Sequence, residues 1–194
     1  MKLIMLENFF ANFGQLEQAF MDIPRFNYKD HPEVQISGLS KTDGTVKDFK
    51  WPGERSDDLK TVAPFATSLF LKEFQKFGNF IPPNLPFKIY THLRLDEDNK
   101  EEFIHKDSPS ADYSTLVYLS RTNLNSGTKL YNDNEEEVAD IKFVQNRAVM
   151  FDSRYNHKPI NNHGKSISDG RLTLNIFWRE MGSGPILRKD TNRW

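Results

Sequence analysis

The chain has 194 residues, with 26 Lys and Arg against 27 Asp and Glu, for a formal charge of −1. A chain of this length can bury one substantial core, and with no Lys/Arg-rich block there is nothing to track a phosphate backbone, so nucleic acid is not an expected partner. The complete absence of cysteine excludes disulfides, thiolate metal sites, iron–sulfur clusters and a cysteine nucleophile, so any metal must be held by nitrogen and oxygen.

From the N-terminus, "MKLIMLENFF" is apolar but soon meets Glu7 and Asn8. It has neither a basic leader nor a small-residue cleavage site, and no apolar run in the chain approaches membrane length; the expectation is a soluble cytoplasmic protein. In "FGQLEQAFMD" the spacing of Leu16, Phe20 and Met21 predicts a helix that stops before Pro24. His31-Pro-Glu33 offers an imidazole and a carboxylate two residues apart, but it has no barrel strand behind it and reads as a decoy. "WPGERSDDLK" predicts a turn in which Ser56 caps a short helical start. Trp51, Glu54 and Arg55 are expected to form a structured loop rather than a substrate contact. "PFATSLFLKEFQKF" predicts a helix over 64–77, with Phe65, Leu69, Phe70, Phe74 and Phe77 on its apolar face and Gly78 as the stop.

Past "IPPNLP" the texture becomes short strands between polar turns. "FKIYTHLRL" alternates Ile89, Leu93 and Leu95 with Lys88, Tyr90, His92 and Arg94; "YSTLVYLS", "GTKLY", "IKFV", "RAVMFD" and "RLTLNIFW" follow. Asn125-Ser126-Gly127, Gln145-Asn146 and "NNHGKSISDG" read as turns. About seven strands over this span predict a mainly β fold with flanking helices, a sandwich or barrel. The whole chain, 1–194, reads as a single domain: helices and loops over about 1–85, a β core over about 86–180 and a C-terminal tail over 181–194.

The stretch "EEFIHKDSPS" holds His105 and Asp107 two residues apart. On a strand both side chains would point the same way, although H-x-D alone arises easily by chance. His157 follows the apolar strand "RAVMFD" and stands just before Pro159. Two histidines and one carboxylate form a facial triad that leaves the opposite coordination positions open, the ligand geometry of non-haem Fe(II) oxygenases. Further on, "RLTLNIFW" sets Arg171, Thr173 and Asn175 on the face opposite Leu172, Leu174, Ile176 and Trp178. An arginine on the inner face of a barrel is costly to bury without an anion, and a ligand carboxylate answers that cost through a bidentate pair, with Thr173 supplying a nearby hydroxyl.

The order H-x-D, distal His, then an Arg-x-Thr strand resembles the Fe(II)- and 2-oxoglutarate-dependent dioxygenases over roughly Phe87 to Trp178. "SGTKLY" resembles a strand start in prolyl-hydroxylase-like members, and "LENFF" and "WPGERS" are similar to uncharacterised, often phage or marine bacterial, members. The resemblance implies a double-stranded β-helix core, a jelly-roll or cupin-like barrel. It also implies Fe(II) on His105, Asp107 and His157, 2-oxoglutarate gripped by Arg171 with help from Thr173 and Tyr90, and O2 as co-reactant. The implied activity is hydroxylation of an amino-acid, peptide or small-molecule substrate with release of succinate and CO2. Prolyl hydroxylases proper commonly carry a lysine sooner after the distal histidine, so Arg171 points to the wider class. Relatives that halogenate replace the carboxylate, so Asp107 points to hydroxylation.

Two other histidines have plainer readings: His92 as a core hydrogen-bonding residue beside Tyr90, and His163 as a solvated turn residue. The competing expectation for the whole chain is a non-enzymatic cupin-like metal-binding or structural barrel, which gives Arg171 no reason to lie inside.

Overall fold

A computed structural model describes residues 3–31, 51–78, 86–101, 104–107 and 111–178. Glu33 of the decoy motif and the tail over 181–194 lie outside the described residues. Ten strands are present among those described. They are β1 (Leu3–Leu6), β2 (Phe26–Asn27), β3 (Glu54–Arg55), β4 (Phe87–Arg94), β5 (Tyr113–Tyr118), β6 (Asn123–Tyr131), β7 (Glu137–Phe143), β8 (Ala148–Asp152), β9 (Asn156–Ile160) and β10 (Arg171–Trp178). The α-helices are α1 (Phe13–Met21), α2 (Leu59–Val62) and α3 (Pro64–Phe74). The strands form a seven-stranded sheet in the order β1-β8-β5-β10-β4-β3-β2 and a three-stranded sheet in the order β7-β6-β9. Every pairing is antiparallel.

The strict alternation of β10 organises the larger sheet. Leu172, Leu174, Ile176 and Trp178 join Phe9, Phe20, Phe70 and Phe74 in one buried cluster under the helices. Trp178 stacks on Phe74 at 4.4 Å, and its indole N–H donates to Thr115 Oγ1 at 3.1 Å, so the large ring is buried with its one polar atom satisfied. Truncating such a ring costs about 3–5 kcal/mol. The opposite phase carries the polar side chains: Arg171 faces Arg94, Thr173 faces both His92 and Tyr118, and Asn175 faces Tyr90 and Leu116. This polar face looks toward the smaller sheet. Between the sheets, Tyr118, Val149 and Phe151 pack with Leu130, Ile141 and Phe143 in a second apolar cluster. The result is the mainly β core with flanking helices expected from the alternation, two facing antiparallel sheets of the double-stranded β-helix type.

Several local expectations need correction. The helix after Pro64 turns from α to 3-10 geometry at Gln75–Phe77, and Gly78 ends it at φ +71. Its buried face is Ala66, Thr67, Phe70, Glu73 and Phe74, rotated from the predicted stripe, and Phe65 is 44% exposed. Glu73 is accommodated inside by its ion pair with Lys76 at 2.6 Å. Asp58, not Ser56, caps α2 by accepting from Lys60 N at 3.1 Å. Ser56 Oγ accepts from Thr91 N at 2.9 Å and so ties this segment to β4. The "WPGERS" turn contains β3, whose Glu54 and Arg55 pair with Leu93 and His92. Gly53 makes that approach possible, since it sits at φ +77 and a Cβ would lie 2.3 Å from Leu93 O. Asn125-Ser126-Gly127 is no turn but an irregularity inside β6, where the register to β7 shifts.

Candidate metal centre

His157 lies inside a strand, β9, rather than at the end of the preceding one. β9 is an edge of the smaller sheet, which explains how Pro159, lacking an N–H, is tolerated opposite Thr128. His105 meets it through an isolated antiparallel bridge. The backbone pair is complete: His105 N–H donates to His157 O at 3.0 Å, and His157 N–H donates to His105 O at 2.8 Å. In such a pair the side chains share a face, and the two rings stand 4.5 Å apart. Asp107, just outside the bridge, brings Oδ1 to 3.4 Å from His157 Nε2.

One ligand atom from each of His105, Asp107 and His157 lies within 4.8 Å of the others. Metal–ligand distances of about 2.0–2.2 Å separate neighbouring ligand atoms by about 3 Å, so a small contraction would bring these atoms onto an ion. The surrounding bonds suit that use. His157 Nδ1 is 3.1 Å from Tyr155 O. Donation of Nδ1–H to that carbonyl leaves Nε2 as the atom that could coordinate a metal, the usual way in which an outer partner sets the tautomer. Ser114 Oγ donates to Asp107 Oδ2 and lies 2.9 Å from Ser153 Oγ, which steadies the carboxylate from behind. Phe151 meets the His157 ring edge-on at 5.1 Å.

The charges interlock. Burial alone pushes the His157 imidazole down, but the adjacent Asp107 charge and hydrogen bond outweigh it, and the net shift is upward. Burial likewise pushes the Asp107 carboxyl up, but the charge and hydrogen bond of His157, with Ser114 and His105, carry it below the ordinary value.

The cosubstrate candidates occupy the polar face of the larger sheet. Arg171 is buried, 3.3 Å from both Gly127 O and Thr128 Oγ1, with its guanidinium 5.8 Å from the Tyr118 ring and 5.5 Å from the Phe143 ring. Thr173 sits beside it in phase, but its hydroxyl donates to His92 O at 3.3 Å. Tyr90 is half-buried. Burial raises its phenol pKa most, the Asp107 charge adds to that, and the Arg55 and Arg94 charges with a hydrogen bond from Asn175 oppose it. His92 is a core residue: Nε2 lies 2.7 Å from Pro52 O, and burial, with Arg94 and Arg55, holds its pKa well below the ordinary value. It is therefore neutral and donates Nε2–H to that carbonyl.

His163 departs from expectation. It is half-buried, edge-on to Phe143 at 5.5 Å, and burial lowers its pKa, so it is not a solvated turn residue. His31 is buried too, against Ser56 O at 3.1 Å, and takes no part in the cluster. Ser114, Tyr118 and Arg94 were not singled out from the sequence, although each stands at an inward-phase position of a strand. That phase was the available signal.

Two facing antiparallel sheets that close around a His-Asp-His cluster define a double-stranded β-helix, the core shared by 2-oxoglutarate- and Fe(II)-dependent oxygenases. The chain is similar in fold to an oxidoreductase of the 2OG-Fe(II) oxygenase family from Burkholderia pseudomallei, with a TM-score of 0.55 and 11% identity over 91% of this chain and 84% of that one. A prolyl-4-hydroxylase from Pseudomonas putida matches with a TM-score of 0.54 and 16% identity over 92% of each chain. HygX from Streptomyces hygroscopicus, solved with nickel and 2-oxoglutarate bound, matches with a TM-score of 0.59 and 10% identity over 92% of this chain and 83% of that one. No family model matches the sequence, and no curated protein matches it. Among the described residues no helix is long and apolar enough to cross a membrane.

Proposed function

We propose that the chain is an Fe(II)- and 2-oxoglutarate-dependent dioxygenase that hydroxylates an amino-acid, peptide or small-molecule substrate. The observation that carries this is the convergence of His105, Asp107 and His157 within 4.8 Å, inside the fold that oxygenases of this kind share. In this reading residues 1–194 act as one domain, with the β core over about 86–180.

The three side chains would hold Fe(II) on one face and leave the other open to cosubstrate and O2. Bound there, the metal and 2-oxoglutarate supply an oxidation of a substrate C–H bond coupled to release of succinate and CO2. The protein's own groups set the geometry. Tyr155 O orients the His157 ring, and Ser114 holds one oxygen of the Asp107 carboxylate, so that the other would be left for the ion. Arg171 and Arg94, opposite each other on the polar face, give the interior the charge that suits a dicarboxylate. Arg171 would hold the far carboxylate through its fork, with Thr173 and Tyr90 beside it on the same face. The apolar cluster of Leu130, Ile141, Phe143 and Phe151 closes the barrel behind the site and excludes water.

Anaerobic calorimetry with Mn(II) and then 2-oxoglutarate tests the site, and succinate formation with Fe(II), O2 and panels of amino acids, peptides and metabolites tests the chemistry. One metal and one 2-oxoglutarate per chain, with substrate-dependent succinate, are expected. A chain that binds Mn(II) but no 2-oxoglutarate would instead favour a structural metal-binding barrel.

A further inference from the structure

β3 pairs with β4 so that Arg55 stands opposite His92. Its side chain therefore issues from the sheet face that also bears Tyr90, Thr173 and Asn175. The guanidinium carbon lies 4.5 Å from the centroid of the Trp51 ring and 4.9 Å from that of Tyr90. Contact with aromatic faces orients a guanidinium plane and directs its hydrogen bonding along the edges, where a planar carboxylate fits. The bracing continues outward: Trp51 meets Tyr28 edge-on at 4.7 Å and His31 at 5.3 Å. Packing thus places Arg55 before any ligand arrives.

Arg55 lines a cleft of about 410 Å³, with Trp51, Asp57, Lys88, Tyr90 and Phe177 among its other walls. This is the size of a small-molecule site. The lining carries both signs of charge. Asp58 is committed to capping α2 and to Lys60 at 3.3 Å. Among the described residues the Asp57 carboxylate accepts one hydrogen bond, from Asp58 N at 2.8 Å, and a carboxylate has capacity for more. Tyr90 joins this cleft to the interior, since it lines the cleft and its phenol feels the Asp107 charge. Its ring packs on Phe177 at 5.6 Å on the cleft side, and it shares the inward sheet phase with Asn175.

We propose that this cleft is the substrate site and that it takes a free α-amino acid, with the carboxylate on Arg55, the ammonium on Asp57 and the side chain passing Tyr90 toward His105, Asp107 and His157. The assignment of the ligand as a substrate rests on the oxidation proposed above. A residue within a peptide carries neither of the two charges that the lining matches.

The test is calorimetric titration of the full chain with each free L-amino acid, its primary amide and its N-acetyl derivative, with and without Mn(II) and 2-oxoglutarate. At least one free amino acid should bind, with its amide and its N-acetyl form each weaker by about tenfold or more, since each loses one charge-assisted contact. Arg55→Ala should erase the preference over the amide, Arg55→Lys should keep part of it, and Asp57→Asn should erase the preference over the N-acetyl form. Thermal unfolding checks each variant, and if Arg55→Ala does not fold, Arg55→Lys and Asp57→Asn decide. If no free amino acid bound, if acid and amide bound equally, or if Arg55→Lys kept the wild-type acid-to-amide ratio, the proposal would be overturned. Amino-acid binding without any 2-oxoglutarate binding would leave the cleft standing and sink the oxygenase chemistry instead.

Discussion

His105 and His157 exchange both of their backbone hydrogen bonds, at 3.0 and 2.8 Å, and this places their rings on one face 4.5 Å apart. The pairing belongs to the main chain and survives loss of either side chain. His105→Ala and His157→Ala are therefore expected to fold, as judged by circular dichroism, while Mn(II) affinity falls by at least about 100-fold, the upper end of what even outer-shell losses cost. Wild-type metal stoichiometry in either variant would remove that residue from the ligand set.

Ser114 touches no metal in the proposed site but donates to Asp107 Oδ2. Ser114→Ala should weaken Mn(II) binding by about 10- to 100-fold with stoichiometry unchanged. An unaltered affinity would show that Asp107 needs no such support.

The metal-free protein should show a pH dependence owed to the His157–Asp107 pair. His157 is raised from 6.5, so its contribution is complete below that value and is lost as pH rises through the raised pKa. Asp107 is lowered from 3.8, so its contribution is complete above that value and is lost as pH falls through the lowered pKa. The pair therefore stabilises most between 3.8 and 6.5. The Tm advantage of the metal-free wild type over Asp107→Asn should be larger at about pH 5.5 than at about pH 8.5. Metal affinity should run the other way and rise with pH, because His157 must lose its proton to coordinate. A Tm difference that does not change with pH would sink this coupling.

Arg171 separates an oxygenase from a structural barrel. Arg171→Leu should cost about 2–5 kcal/mol of 2-oxoglutarate affinity, as for one partner removed from a buried charged pair. Pyruvate lacks the far carboxylate, so its affinity should hardly change. Arg171→Lys should weaken 2-oxoglutarate binding without abolishing it. Anaerobic titration in the presence of Mn(II) reads all three, and equal 2-oxoglutarate affinity in wild type and Arg171→Leu would reject the role.

Gly127 links the fold to the same subsite. A Cβ there would lie 2.1 Å from Ile141 O, and Gly127 O faces Arg171 Nη2 at 3.3 Å. Gly127→Ala must push β6 and β7 apart, and should lower stability by about 1–3 kcal/mol in urea unfolding while weakening 2-oxoglutarate binding. A variant as stable as wild type would show that the ladder can absorb a methyl at this position.

The period-two alternation of "FKIYTHLRL" and "RLTLNIFW" was enough to tell which residues of β4 and β10 share a face, because a strand buried on one apolar side admits only one phase. From that phase came the inward position of Tyr90, Arg171 and Thr173, and from ligand type and order came the grouping of His105, Asp107 and His157. What pairs with what across long separations was not legible. β1, β2 and β3 span four, two and two residues, too short to carry a period, and they become strands because β8 offers an edge to β1, β4 to β3 and β3 in turn to β2. His157 was expected at a strand end, but the bridge to His105 and the ladder to β6 make its segment a strand of its own. The polar neighbours of His163 predict a solvated turn, yet its ring packs edge-on against Phe143. Composition and alternation determine the class of core and the polarity of each face, since they depend on neighbours in the chain. The contacts that turn a "WPGERS" turn into the wall of a cleft depend on partners distant in sequence, and only the folded sheet decides them.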